Sequence, residues 1–129
     1  MKILLTMAAA AAVLVAAPAR ANDTDKAMTD LATRSGCLTC HHIQPGSKGP
    51  DGLAPIGPAW REVAAKYKGN PQAADALTQT VMKGSNPYDS HWKGKVSGLA
   101  MPPNAVAIQQ ADAARLVRWI LALTPAPAK

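Results

Sequence analysis

The run Cys37-Leu38-Thr39-Cys40-His41 holds the only two cysteines of the 129-residue chain, and a histidine follows the second directly. Two thiols at this spacing suit thioether bonds to the two vinyl groups of one porphyrin. The imidazole of the next residue then falls under the ring, where it can bind iron. The run therefore points to one haem c, attached covalently through Cys37 and Cys40, with His41 as proximal ligand. Two other chemistries use Cys-x-x-Cys. A thiol–disulfide site expects a βαβ setting, and no strand-like run flanks this one. A structural zinc ion needs four ligands in a closed tetrahedron, and beyond the cysteines the ready donors are His41, His42 and His91.

Iron held by one histidine needs a sixth ligand or keeps an open face. Met101, within Ala100-Met101-Pro102-Pro103-Asn104, is the leading candidate. A thioether favours the reduced iron and raises its potential, and the two prolines stiffen the backbone just past the sulfur. Met82 is the second choice. It falls with Met28 in predicted helices, where methionine usually fills core. His91 in this role would give bis-histidine iron at lower potential, but a lone histidine in a polar loop is more often a solvated side chain. His42 follows the proximal ligand too closely to reach the same iron and is expected at the surface.

The elements that must position these groups read as all-α, with no internal repeat. Residues 1–21 have the form of a secretory leader: Lys2, an uncharged run from Ile3 to Ala17, then Ala19-Arg20-Ala21 as a cleavage site. That run is too short and alanine-rich for a membrane anchor. Cleavage leaves one domain, residues 22–129, starting at Asn22, in an exported and hence periplasmic protein. A first helix is expected from Asp23 or Thr24 to near Gly36, with Met28, Leu31 and Ala32 as its apolar stripe. Ile43 to Gly57, rich in Gly and Pro, reads as a loop. A second helix is expected from Pro58 through Tyr67 to a stop near Gly69. A third runs from Ala73 to Lys83 and closes at Gly84. Ser85 to Asn104 is a long loop without helical period, of the kind that tends to carry function. The last helix spans about Gln109 to Leu123, with Ala113, Leu116, Val117 and Ile120 on one face and no Ser or Asp to cap it.

Lys and Arg number 14 against 8 acidic residues, a net charge of +6. Loss of Lys2 and Arg20 with the leader lowers this to about +4. The positive charges are scattered and lack the interleaved aromatics of a nucleic-acid surface. They suit either steering toward an acidic protein partner or simple solvation. Phenylalanine is absent and aromatics make up 4% of residues, so a buried porphyrin can supply apolar surface that large side chains normally provide.

The chain resembles the small bacterial class I cytochromes c, single-haem periplasmic electron carriers. The likeness covers nearly all of the mature chain. It runs from the Cys37–His41 motif through Gly57-Pro58-Ala59-Trp60-Arg61-Glu62-Val63-Ala64 and Lys83-Gly84-Ser85 to Met101-Pro102-Pro103-Asn104-Ala105-Val106 and the Trp119 helix. It implies a compact fold of about four helices wrapped around the haem. Met101 matches the family's axial methionine. Pro58 matches a proline whose carbonyl accepts the Nδ1–H of the proximal histidine, a role compatible with starting a helix. Trp92 matches a tryptophan whose indole N–H reaches a haem propionate; a hydrophobic plug against the haem edge fits it equally. Trp119 is expected to pack between the first and last helices. The loops 43–57 and 85–100 are longer than in the most compact members.

Together these features describe a one-electron carrier cycling between Fe(III) and Fe(II), with donor and acceptor proteins unnamed and no catalytic residues of its own. Two rivals remain. One is the haem-bearing subunit of a periplasmic dehydrogenase. The other is a haem sensor or peroxidase, in which a ligand must displace Met101.

Overall fold

The computed structural model describes residues 19–127, with side chains from Ala21 onward. The expected leader thus lies almost wholly outside the described residues. Four α-helices follow one another: α1 (Ala19–Arg34), α2 (Trp60–Tyr67), α3 (Ala73–Lys83) and α4 (Gln110–Ala122). Short 3-10 turns occupy Cys37–Thr39 and Pro50–Gly52. Among the described residues there is no strand, only an isolated bridge between Lys93 and Val96.

Helix α4 organises the molecule, packing on α1, α2 and α3. Its apolar face buries Ala113, Leu116, Val117 and Ile120. Ala113, Leu116 and Ile120 cluster with Met28, Leu31 and Ala32 of α1 and Trp60 and Val63 of α2, with Ile108 closing the cluster. Trp119 sits half-buried on the α1 side, where its indole N–H donates to Asp25 Oδ1 at 2.7 Å. Its ring meets Trp60 edge-on, with centroids 5.8 Å apart.

Two helix starts differ from expectation. Helix α1 is already formed at Ala19, the first described residue, so it extends N-terminal of the expected start at Asp23 or Thr24, over alanines that favour helix. Helix α2 begins at Trp60, two residues after Pro58, with Ala59 still extended (ψ 139°). The cause is capping by backbone rather than by a side chain. The Trp60 N–H donates to the His42 carbonyl (2.8 Å) and the Arg61 N–H to that of Ile43 (3.2 Å). These bonds satisfy donors that a helix N-terminus otherwise leaves orphaned, and they tie α2 to the chain just after His41. Helix α3 keeps its expected bounds. Helix α4 is one residue shorter at each end than expected, and Gln109 offers it no side-chain cap.

The two long loops are stitched together. Ser97 and Gly98 donate their N–H groups to the carbonyls of Pro55 (2.9 Å) and Ile56 (3.0 Å). A Cβ on Gly98 would lie well inside contact distance of the Ile56 carbonyl, so only glycine permits this approach. The loop that carries Met101 is thereby joined to the segment that carries Gly57 and Pro58.

Candidate functional site

The chain passes from α1 into the Cys-x-x-Cys-His run through Gly36, whose φ of 74° turns the backbone sharply. A single 3-10 turn follows, with the N–H groups of Cys40 and His41 both returning to the Cys37 carbonyl. Both thiols are half-buried and not joined to each other. Burial pushes the Cys37 thiol up from its ordinary pKa, a backbone hydrogen bond opposes the shift, and neighbouring Cys40 adds to it.

The imidazole of His41 is held from two sides. Its Nδ1 lies 2.8 Å from the Pro58 carbonyl oxygen. That oxygen can only accept, so Nδ1 carries the proton and Nε2 is left with a bare lone pair. Burial holds the His41 pKa below the ordinary value; the Pro58 bond opposes this and His42 reinforces it. The ring therefore stays neutral, the form that binds a metal. Trp60 stacks beside it at 6.0 Å with a 27° tilt. Gly57 supplies the space: a Cβ there would stand 2.7 Å from His41 Cε1 and 2.9 Å from Nδ1.

Cys37, Cys40, His41, Pro58, Trp92 and Met101 all line one cavity of about 380 Å³. Its remaining wall is largely apolar, with Val63, Leu77, Val81, Leu116, Val117 and Ile120 contributed by α2, α3 and α4. Met82 is not among its lining residues and packs against the core cluster instead. Met28 is buried in the core itself. His91 is exposed at the cavity margin, its ring edge-on to Trp92 at 4.8 Å. His42 is half-buried and lines a separate groove beside α2. Trp92 forms part of both walls.

The residue set fits a haem. Two unpaired thiols, an imidazole with free Nε2 and a thioether open onto one apolar space, and glycine removes the side chain that would crowd the imidazole. Sequence reasoning gave no separate role to two residues here. Gly57 was visible as half of a Gly-Pro pair, and Ser85 as part of Lys83-Gly84-Ser85. What each touches lies 16 residues away in the chain.

A helical chain closed around a Cys-x-x-Cys-His pocket defines the class of single-haem c-type proteins. Comparison with known proteins agrees. Residues 16–124 match the cytochrome c family model, and the chain belongs to that family. It is 40% identical over 93 residues to cytochrome c-551 of Allochromatium vinosum, covering 72% of this chain and 82% of that protein. It is 35% identical over 115 residues to cytochrome c-552 of Nitrosomonas europaea, covering 89% and 90%. The crystal structure of wild-type Nitrosomonas europaea cytochrome c552 superposes with a TM-score of 0.57 at 34% identity, covering 74% of this chain and 98% of that one. The chain is thus a monohaem class I cytochrome c of all-α fold. It carries one covalently bound haem c, its function is haem-based electron transfer, and it works with redox partner proteins.

Proposed function

We propose that this protein is a soluble periplasmic electron carrier whose iron is held by His41 and Met101. Cys37 and Cys40 are the covalent anchors, Pro58 is the positioning residue for the proximal imidazole, and Trp92 covers the haem edge. The observation that carries this is the convergence of both thiols, the bare Nε2 side of His41 and Met101 on one apolar cavity.

When bound, the haem supplies a one-electron Fe(III)/Fe(II) couple. The chain's residues make that couple fast and reversible. The Pro58 carbonyl keeps the proton on Nδ1, which fixes the ring and makes Nε2 a stronger donor. The aliphatic wall excludes water, so little solvent has to reorganise when charge changes. The tether through Cys37 and Cys40 prevents loss of the group in a compartment where free haem would diffuse away. Leu99 and Val106, on either side of Met101, are 85% and 100% exposed. They offer an apolar rim against which a partner can dock briefly. Iron held by both His41 and Met101 would leave no position free for an external ligand, which argues against sensor or peroxidase chemistry and for a carrier that is not itself an enzyme.

Among the described residues no helix is long and apolar enough to cross a membrane. Export follows from the leader reading of residues 1–21, with cleavage after Ala21. Intact mass of the purified holoprotein tests the proposal. The expected mass is that of residues 22–129 plus one haem. An unmodified chain, or a mass retaining the leader, would overturn the anchoring or the export reading respectively.

A further inference from the structure

We propose that Ser85 is a positioning residue that clamps Met101 in place. The inference rests on the reading of Met101 as distal ligand and assigns the device that keeps it there. The Met101 N–H donates to Ser85 Oγ at 2.8 Å. The Ser85 N–H in turn donates to the Met101 carbonyl at 2.9 Å. One residue thus binds both backbone groups of the methionine from 16 positions away.

The surrounding chain shows why this grip matters. Pro102 and Pro103 have no N–H, so from Met101 to Asn104 the backbone has two donors. Ser85 takes the first, and the Val81 carbonyl takes the second at 3.0 Å. The Val81 hold comes from the last turn of α3 and the Ser85 hold from the second residue beyond it, so the end of the helix and its exit clasp the loop. Gly84 brings that end flush against it: φ is +84°, and a Cβ would lie 2.9 Å from the Met101 carbonyl and 3.1 Å from Pro103. The prolines stiffen the segment but cannot anchor it; Ser85 holds the Met101 carbonyl through its backbone N–H, and the Met101 N–H through its hydroxyl, the one part of the grip that depends on the side chain.

Removing that hydroxyl leaves a half-buried N–H without its acceptor. The segment then opens more often, and an external ligand reaches the iron only when Met101 has left. The test is the association rate of cyanide with the oxidised holoprotein of wild type, Ser85→Ala, Ser85→Thr and Met101→Ala. Loss of one neutral hydrogen bond corresponds to an increase of about two- to tenfold for Ser85→Ala. Ser85→Thr keeps the γ-oxygen and is expected to return the rate to near wild type, which a general loosening of the fold would not do. Met101→Ala is expected to bind faster than every other variant. A wild-type rate in Ser85→Ala, or no rescue by threonine, overturns the clamp. A wild-type rate in Met101→Ala overturns the distal-ligand reading instead, so the two failures are distinguishable.

Discussion

Replacing Gly57 with alanine places one methyl group against the proximal imidazole. The new Cβ would lie 2.7 Å from His41 Cε1, 2.9 Å from Nδ1 and 3.1 Å from the Cys40 carbonyl oxygen, against an ordinary contact near 3.5–4.0 Å. Neither neighbour can yield freely. Trp60 stacks on the ring, and the Gly57 N–H is itself bonded to the Cys40 carbonyl at 2.8 Å. Overpacking of this kind costs about 1–3 kcal/mol. If the ring turns away it also loses the Nδ1–H bond to Pro58, worth roughly 1 kcal/mol. The sum, about 2–4 kcal/mol, corresponds to a fall in melting temperature of about 10–20 °C for a domain of this size. A weaker Pro58 bond also leaves the imidazole less electron-rich, which stabilises Fe(III) less. The reduction potential should therefore rise. Thermal melting by circular dichroism and a redox titration of the Gly57→Ala holoprotein measure both effects. A variant that melts with wild type and keeps its potential would refute the claim that Gly57 makes room for the proximal ring.

The remaining predictions concern the anchors and the surface. Cys37→Ala with Cys40→Ala should abolish stable holoprotein and most of the fold, because the cavity wall from α2, α3 and α4 loses what it packs against; a helical apoprotein with near-native melting would contradict this. Lys93 and Lys95 are exposed beside Trp92, so oxidation of the ferrous protein by the hexacyanoferrate(III) anion should slow as the Debye length shrinks from about 10 Å at 0.1 M salt to about 3 Å at 1 M. Reversing both to glutamate should slow it further without moving the visible spectrum, and rates that ignore salt and both reversals would mark these lysines as bystanders.

What was legible in the sequence follows from which signals are local. Helix α3 has a turn signal before it and glycine after it, so both its ends could be read. The apolar stripe of α4 named four residues, all of them now buried. The start of α2 was misjudged because its cap is made by His42 and Ile43, which no residue at Pro58 or Ala59 announces. The Cys37–His41 motif is contiguous and therefore conspicuous. The roles of Gly57 and Ser85 are not contiguous: one is defined by the absence of a Cβ beside His41, the other by a backbone facing it across a loop. Trp119 shows an intermediate case, since the family resemblance implied packing between the first and last helices but not the hydrogen bond to Asp25.

The central claim is that Met101 completes the iron site, and the oxidised optical spectrum tests it most directly. Methionine-bound ferric haem carries a weak sulfur–iron charge-transfer band. The account predicts this band in the wild-type protein and its loss in Met101→Ala, with the haem still covalently attached. Absence of the band from the wild-type protein, as ligation by His91 would give, its survival in Met101→Ala, or its loss instead in Met82→Ala would contradict it.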